Sequence, residues 1–251
     1  MQNTLVILTG ASKGMGQAMA LQLLQPHIRL LCISRNLDDS LIQEAEKHGA
    51  LLEQWSADLS EGAVVAARLR TWLSALDSSA LKSATLINNA GVIGPLAPTQ
   101  DNDPSQLVYA LRVGLEAPMQ LCAAFLNATQ KWIAQRKILN ISSGLGRRPM
   151  ASSAAYCAAK AGMDHFTRCV ALEEALRPHG AKVCSLAPGV IDTNMQTDLR
   201  SADPRAFPDQ GNFAGLHAQG QLASPADAAQ RVLAYLERAD FGEQAVADVR
   251  G

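Results

Sequence analysis

Short apolar runs rich in β-branched residues recur along the chain, and each gap between them is long enough to hold a helix. Continuous apolar runs of this length are typical of strands that are buried on both faces. Their alternation with helical segments predicts an α/β fold, in which a parallel sheet is covered by helices on both faces. The predicted strands are 4–9, 29–34, 51–56, 84–88, 137–142, 181–187 and 245–249.

The segments between these runs carry apolar residues at helical spacing. The predicted helices run from the first glycines to Leu24, then over 37–48, 61–76, 104–134, 154–176 and 226–238. Pro118 predicts a kink in the fourth helix, because proline cannot continue the helical hydrogen bonding. With no internal repeat or linker, we predict one domain over residues 1–251. Between 194 and 222, glycines and prolines mix with large apolar residues, which predicts a partly helical lid.

Composition excludes several classes of protein. The 22 basic and 23 acidic residues give a formal net charge of -1, which supplies no field to attract nucleic acid or an anionic membrane. The five cysteines are odd in number and widely spaced, so we expect reduced thiols and no metal site. No basic segment precedes the first strand and no window is apolar enough to span a membrane, which predicts a cytoplasmic protein.

A glycine-rich turn, TGASKGMG (9–16), follows the first predicted strand and opens the first predicted helix. Glycines let the backbone approach a pyrophosphate, and the helix N-terminus offers N–H groups and partial positive charge. The spacing differs from the general G-x-G-x-x-G pattern, and a purely structural turn is the alternative. Because strand, turn and helix occur together, we predict dinucleotide binding. The cofactor residues of this turn are Gly10, Ser12, Lys13, Gly14, Met15 and Gly16.

The end of the second predicted strand bears on which dinucleotide binds. NAD-selective proteins usually place an acid there to hold the ribose 2′-hydroxyl, whereas this chain has Ser34, Arg35 and Asn36. Arg35, together with Lys13, can form charge-assisted hydrogen bonds to a 2′-phosphate. The alternative is that both are solvated surface cations. We therefore predict NADPH as the cofactor.

Tyr156 and Lys160 lie four residues apart near the start of a predicted helix, so their side chains share one face. The unperturbed pKa of tyrosine is about 10, and a nearby ammonium favours the phenolate. Ser143 follows the fifth predicted strand, at the edge where open α/β sheets bind ligands, and its hydroxyl suits a carbonyl oxygen. These three groups predict a catalytic site that protonates a ketone. A Y-x-x-x-K pair alone is more often a surface pair.

Four motifs occur in order along nearly the whole chain. They are TGASKGMG (9–16), NNAG (88–91), Ser143 with YCAAK (156–160), and PGVIDT (188–193). On these motifs the chain resembles the classical short-chain dehydrogenase/reductase family. The resemblance implies a Rossmann-type, doubly wound parallel sheet in a three-layer α/β/α arrangement. It also implies an oxidoreductase that uses a nicotinamide cofactor and acts on a small molecule.

The resemblance implies cofactor contacts beyond the glycine turn. Asn89, Ala90 and Gly91 would line the cofactor, and Asp58 would meet the adenine. The residues implied around the nicotinamide and its ribose are Tyr156, Lys160, Pro188, Gly189, Val190, Ile191 and Thr193. Several of these have structural alternatives. Asn89 can bridge neighbouring strands, Asp58 can cap a helix, and Pro188 with Gly189 can simply turn the chain.

The C-terminal third, from APGVIDTNMQ (187–196) through the lid to the last residues, resembles the branch of sepiapterin reductases and bacterial benzil reductases. This resemblance implies reduction of a ketone, often one of two vicinal carbonyls beside an aromatic group. Asp248 matches the aspartate that anchors the pterin in sepiapterin reductases, although an aspartate on a last strand also serves structural roles. The resemblance also implies a homodimer, whose interface in the family is commonly formed by the two long helices predicted here over 104–134 and 154–177.

One position departs from the family pattern. Where the family usually has Asn in the long helix before the fifth strand, this chain has Gly114. Glycine offers no side chain to a proton relay, although it tolerates a helix irregularity and close helix packing. Gly114 leaves open an NADPH-binding sensor with weak turnover, although the intact Ser143, Tyr156 and Lys160 argue against it. A 3-oxoacyl thioester reductase, which shares the motifs, is the second alternative to a reductase of aromatic ketones.

The predicted lid and the segment after Ser143 bear on the substrate. Large apolar residues of the lid predict an apolar pocket wall, with plain packing as the alternative. Arg147 and Arg148 lie beside the predicted site, and we interpret them as a solvated pair rather than as a site for an anion. The lid residues meant here are Met195, Leu199, Phe207 and Phe213.

Overall fold

The computed structural model describes residues 3–250. Its seven strands form one parallel sheet in the order β3-β2-β1-β4-β5-β6-β7. The predicted parallel α/β sheet is therefore confirmed. The strands are β1 (Thr4–Thr9), β2 (Ile28–Ser34), β3 (Leu51–Ser56), β4 (Ser83–Asn88), β5 (Gln135–Ile141), β6 (Lys182–Ala187) and β7 (Val246–Asp248).

Helices cover both faces of the sheet. One core packs α1, α2 and α9 against one face, and a second core packs α3 and α5 against the other, which gives the three-layer, Rossmann-type arrangement. The helices are α1 (Gly14–Leu23), α2 (Asp39–His48), α3 (Gly62–Ser74), α4 (Pro104–Leu111), α5 (Ala117–Thr129), α6 (Ala154–Ala175), α7 (Asn194–Arg200), α8 (Gln210–Ala218) and α9 (Pro225–Leu236).

The strand order reverses beside β1, which pairs with β2 on one side and β4 on the other. In doubly wound sheets the connections on the two sides of such a point run to opposite faces, so a crevice opens at the carboxyl ends of the strands. The turns after β1 and β4 therefore lie where a ligand would bind. The glycine-rich turn and the NNAG motif are these two turns.

The prediction of a single long helix over 104–134 is wrong in two respects. The observed helical region ends at Thr129, and a π-helical segment over Arg112–Glu116 separates α4 from α5. Pro118, expected to cause a kink, lies just after this segment, near the start of α5. Proline has no N–H, so one carbonyl of the preceding turn loses its helical donor, and the wider π turn accommodates that loss.

The segment predicted as a lid, 194–222, contains the short helices α7 and α8. A small apolar cluster joins this segment to the start of α6. Over residues 3–250, the structure contains no helix with both the length and the apolar character needed to cross a membrane.

Candidate active site

A cavity of about 1120 Å³ opens at the carboxyl edge of the sheet, next to the point where the strand order reverses. It extends from the glycine-rich turn to the lid helices. All of the residues predicted to bind cofactor or to catalyse line this one cavity. They are Gly10, Ser12, Lys13, Gly14, Met15, Gly16, Arg35, Asp58, Asn89, Ala90, Gly91, Ser143, Tyr156, Lys160, Pro188, Gly189, Val190, Ile191 and Thr193.

The glycine-rich turn needs glycine at three positions for steric reasons. Gly10 has φ +71°, and a β-carbon there would lie 2.9 Å from Cα of Ala90. Gly14 has φ +57° and is the first residue of α1, while a β-carbon on Gly16 would collide with the carbonyl oxygen of Gly10. The turn thus brings its backbone against β4 and leaves the N-terminus of α1 at the cavity. This geometry fits the pyrophosphate of a dinucleotide.

The end of β2 carries an exposed arginine at the cavity. Nη1 of Arg35 donates to the hydroxyl of Tyr109 at 3.1 Å, and Tyr109 also lines the cavity. The nearest acid after β2 is Asp38, whose carboxylate accepts from the amide of Gln17 at 2.6 Å and from the backbone N–H of Ser40 at 3.0 Å. Asp38 therefore caps α2 while also lining the cavity, and Arg35, directly after β2, is the basic residue of this segment at the cavity.

Two predicted cofactor residues also have structural contacts. The Asn89 amide nitrogen donates to the carbonyl oxygens of Thr9 and Gly10, at 2.9 and 3.2 Å, so Asn89 does bridge β4 to β1. Asp58 accepts from the backbone N–H of Ser60 at 2.8 Å and caps a short helical turn. Both residues line the cavity as well.

The loop after β6 closes the cavity on the side opposite β2. Gly189 turns the chain with φ +86°, and Ile191 pairs with Ala223 in a parallel bridge. A β-carbon on Gly14 would lie 3.4 Å from Cγ2 of Thr193, so this loop meets the glycine-rich turn across the cavity.

The three predicted catalytic residues come together at the end of β5. Nζ of Lys160 donates to the carbonyl oxygen of Ile141 at 2.7 Å and lies 5.7 Å from the centre of the Tyr156 ring. Ser143 begins a short helical turn, where its Oγ accepts from the N–H of Leu145 at 3.2 Å. Tyr156 and Lys160 are 8% and 4% exposed.

Burial dominates the protonation of this group. Burial raises the pKa of Tyr156, and a hydrogen bond with the Ser143 hydroxyl offsets part of that increase. This direction is opposite to the one expected from the Lys160 ammonium. Burial also lowers the pKa of Lys160 from 10.5 to about 8, against the Asp164 carboxylate, which raises it. At neutral pH the site therefore holds a neutral phenol beside a cationic lysine.

The lid forms an apolar wall on the substrate side of the cavity. Met195, Leu199 and Phe213 line the cavity, as predicted. Phe207 is fully buried behind this wall, and its ring stacks on that of Phe213 with centres 5.8 Å apart. Phe207 therefore supports the wall rather than forming its surface.

Several cavity residues were not expected from the sequence. Tyr109 is 74 residues from Arg35 along the chain, so no local sequence pattern predicts their contact. Gln196 lies in the predicted lid, and no motif marks its buried amide as part of the site. Lid contacts depend on tertiary packing, which periodicity does not report. The unexpected lining residues include Val92, Ile93, Gly94, Tyr109, Leu145 and Gln196.

The structure shows the contacts of the charged residues singled out near the site. Arg147 and Arg148 are both exposed and Arg148 lines the cavity, while Nε of Arg147 also lies 3.3 Å from Oδ2 of the buried Asp164. Asp248, the match to a pterin anchor, forms a bidentate pair with Arg250, with both N···O distances 2.8 Å. The contacts of Asp248 are thus those of a structural aspartate on β7.

Comparison with known proteins agrees with this arrangement. Residues 4–204 match the family model described as short chain dehydrogenase. The chain is 35% identical to a benzil reductase ((S)-benzoin forming) of Bacillus cereus over 94% of this chain and 95% of that protein. It is 31% identical to the sepiapterin reductase of Meriones unguiculatus over 96% and 94%. A metagenomic short-chain oxidoreductase solved with NADP superimposes with a TM-score of 0.71 at 27% identity, covering 98% and 95%.

The chain therefore belongs to the short-chain dehydrogenase/reductase family and is an oxidoreductase. Within that family it lies in the branch that contains its benzil reductase and sepiapterin reductase relatives.

Proposed function

We propose that this protein uses NADPH to reduce a ketone to an alcohol, and that Ser143, Tyr156 and Lys160 are its catalytic residues. One observation carries the proposal. The side chains needed to bind and protonate a carbonyl line the same cavity as a glycine-rich turn shaped for a dinucleotide pyrophosphate. An oxidoreductase of this family needs both in one place, because the cofactor must meet the reacting carbon.

Arg35 supports NADPH rather than NADH. Its guanidinium lies at the end of β2 and is oriented by the Tyr109 hydroxyl, at the place where the adenosine ribose of a dinucleotide would lie. Asp38, the acid nearest to that place, is engaged in capping α2 and in the contact with Gln17. A 2′-phosphate would therefore meet a cation there, and Lys13 of the glycine-rich turn would add a second.

In the mechanism that we propose, the reduced nicotinamide supplies the hydride. The hydroxyls of Ser143 and Tyr156 donate to the carbonyl oxygen of the substrate and polarise it. Tyr156 gives up its proton to that oxygen as negative charge develops there. Lys160 donates a hydrogen bond to the carbonyl of Ile141, and its ammonium lies close to the Tyr156 ring. It therefore stabilises the phenolate form of Tyr156 that remains after the proton is transferred.

The substrate that we propose is an aromatic ketone, and in particular one of two vicinal carbonyls. The apolar wall of Met195, Leu199 and Phe213 suits an aromatic group, and the benzil reductase relative is named for an aromatic diketone. We also propose that residues 1–251 form one domain and that the protein acts in the cytoplasm as a homodimer. Exposed apolar residues on α4, α5 and α6, such as Val108, Met119 and Leu172, support an interface between copies.

A substrate panel tests this proposal. Purified protein is given NADPH or NADH with benzil, an aliphatic ketone or a 3-oxoacyl thioester, and the loss of reduced cofactor is followed by absorbance. We expect the highest kcat/KM with NADPH and benzil. Preference for the thioester would favour a reductase of fatty-acid intermediates. Binding of NADPH without turnover of any of the three would favour a sensor.

A further inference from the structure

A buried carboxylate that the mechanism does not use lies next to the catalytic residues. Asp164 is on α6, one turn beyond Lys160 and two turns beyond Tyr156, and is 2% exposed. Residues four apart on a helix lie on one face, so Asp164 shares the face that carries both catalytic side chains. A buried carboxylate is costly unless other groups satisfy it, and here three side chains do so.

These three partners belong to different elements. Oδ1 of Asp164 accepts from the hydroxyls of Ser142, at 2.6 Å, and Ser185, at 2.7 Å. Oδ2 lies 3.3 Å from Nε of Arg147. Ser142 is the last residue before Ser143, and Arg147 ends the short turn that Ser143 begins. Asp164 therefore holds the chain on both sides of Ser143.

The turn between these two contacts lies directly against the catalytic helix. A β-carbon on Gly146 would lie 2.9 Å from the carbonyl oxygen of Lys160 and 3.0 Å from Oδ2 of Asp164. Arg147 also donates through Nη2 to the carbonyl oxygen of Ala247 at 2.7 Å, which connects the turn to β7. Since proteins are close-packed, a shift of this turn moves Ser143 relative to Tyr156.

We propose that Arg147 and Asp164 are positioning residues that fix the distance between the Ser143 hydroxyl and the phenol of Tyr156. Neither residue lines the cavity, so they act through the turn and the helix rather than on the substrate. Their contact joins the turn that begins at Ser143 to the helix that carries Tyr156. This inference rests on the proposed function for its kinetic consequence, and on the contacts alone for its structural one.

The variants follow from the contacts. Asp164→Asn keeps an oxygen for the two hydroxyls and loses the ion pair. Arg147→Met keeps the apolar stem of the arginine and loses its contacts with Asp164 and Ala247, while Arg147→Lys retains a cation for Asp164. Ser185→Ala is the matched control, because it removes a donor to the same carboxylate from β6, which does not carry Ser143.

Kinetics test the consequence for catalysis. A misplacement of about 1 Å costs about 100-fold in rate, so we expect Asp164→Asn and Arg147→Met to lower kcat about 10- to 100-fold. The NADPH dissociation constant should change less than about threefold in Arg147→Met, because Arg147 lies outside the cavity and this variant keeps the Asp164 carboxylate that raises the pKa of Lys160. Arg147→Lys should recover most of kcat, and the double variant should be no slower than the slower single one. An equal loss of kcat in Ser185→Ala would overturn the proposal.

Amide hydrogen exchange tests the same idea without activity. The N–H groups of Leu145, Gly146, Arg147 and Arg148 are bonded within the turn, to Ser143 and Gly144. We expect these amides to exchange at least about tenfold faster in Asp164→Asn and Arg147→Met, and unchanged in Ser185→Ala. Unchanged exchange in the first two variants would overturn the proposal, even if the wild type reduced no ketone. If these two variants exchange faster but the wild type reduces no ketone, the proposed function is wrong and the structural part of the positioning role is still supported.

Discussion

Gly114 and Ala159 pack so closely that a β-carbon on Gly114 would lie 3.1 Å from Cβ of Ala159. Gly114 is in the π-helical segment between α4 and α5, and Ala159 immediately precedes Lys160 on α6. Both sequence-based interpretations of Gly114, a helix irregularity and close helix packing, therefore describe the same contact. The glycine lets α6 carry Lys160 toward the end of β5.

Replacing Gly114 tests this contact. We expect Gly114→Asn to lower the free energy of unfolding by about 1–3 kcal/mol, because the added side chain overpacks the junction with α6. Ala159→Gly should restore part of that loss in the double variant, although glycine alone destabilises a helix by about 1 kcal/mol. Chemical denaturation of the four proteins measures the coupling. Simple additivity of the two losses would contradict the account.

Cofactor affinity should depend on the charge of Lys160. The pKa of this buried lysine is lowered to about 8, so the ammonium is present below that pH and is lost as pH rises through it. We expect NADPH to bind more weakly as pH rises from 7 to 9.5, since Lys160 contacts the cofactor ribose in the proposed complex. Titration by NADPH fluorescence measures this, with Lys160→Met expected to bind more weakly and without that pH dependence. A wild-type NADPH dissociation constant that does not change up to pH 9.5 would contradict the dependence of cofactor affinity on the Lys160 charge.

Arg35 should select between the two nicotinamide cofactors. Its removal deletes a charge-assisted contact with a 2′-phosphate, worth about 1.5–3 kcal/mol, so we expect Arg35→Ala to weaken NADPH binding about 10- to 100-fold. Binding of NADH should change less than about threefold. Arg148→Ala is the matched control, because Arg148 is another exposed arginine at the same cavity. Equal weakening of both cofactors in Arg35→Ala would rule out this role.

Much of this molecule follows from local sequence signals. Buried parallel strands are continuous apolar runs, and the bounds of β1 agree with the prediction residue for residue. The bounds of β3 also agree, although this edge strand is mostly not buried. Glycines with positive φ, such as Gly10 and Gly14, are required by the backbone itself. Motifs that combine a strand, a turn and a helix thus predicted that the residues proposed to bind cofactor and to catalyse lie at one edge of the sheet.

Other features depend on contacts between distant segments. The π-helical turn at Gly114 is followed by Pro118 and packs against Ala159, and helical periodicity reports neither the turn nor this contact. The partners of Arg147 are 17 and 100 residues away along the chain, so the sequence shows only a basic residue after the proposed catalytic serine. Charge alone did not distinguish Arg147, which pairs with Asp164, from its neighbour Arg148.

The apolar wall of Met195, Leu199 and Phe213 should set the preference for aromatic ketones. Phe213 lines the cavity while Phe207 supports it from behind, so Phe213→Ala removes surface contacts without emptying the buried site. We expect KM for benzil to rise about tenfold, the equivalent of about 1.4 kcal/mol of lost contact, with a small aliphatic ketone nearly unaffected. Steady-state kinetics on the two substrates measures the ratio. An equal rise in KM for both ketones would show that the apolar wall does not distinguish an aromatic group from an aliphatic one.

The central claim is that Tyr156 gives its proton to the carbonyl oxygen of the substrate. Its most direct test is the rate of NADPH oxidation with benzil at saturating cofactor, in Tyr156→Phe and in Tyr109→Phe, which removes the hydroxyl of another tyrosine at the same cavity. We predict that Tyr156→Phe lowers kcat about 100- to 10,000-fold while still binding NADPH, and that Tyr109→Phe changes kcat by less than about threefold. A Tyr156→Phe protein that kept more than about a tenth of the wild-type kcat would contradict the assignment of the proton donor.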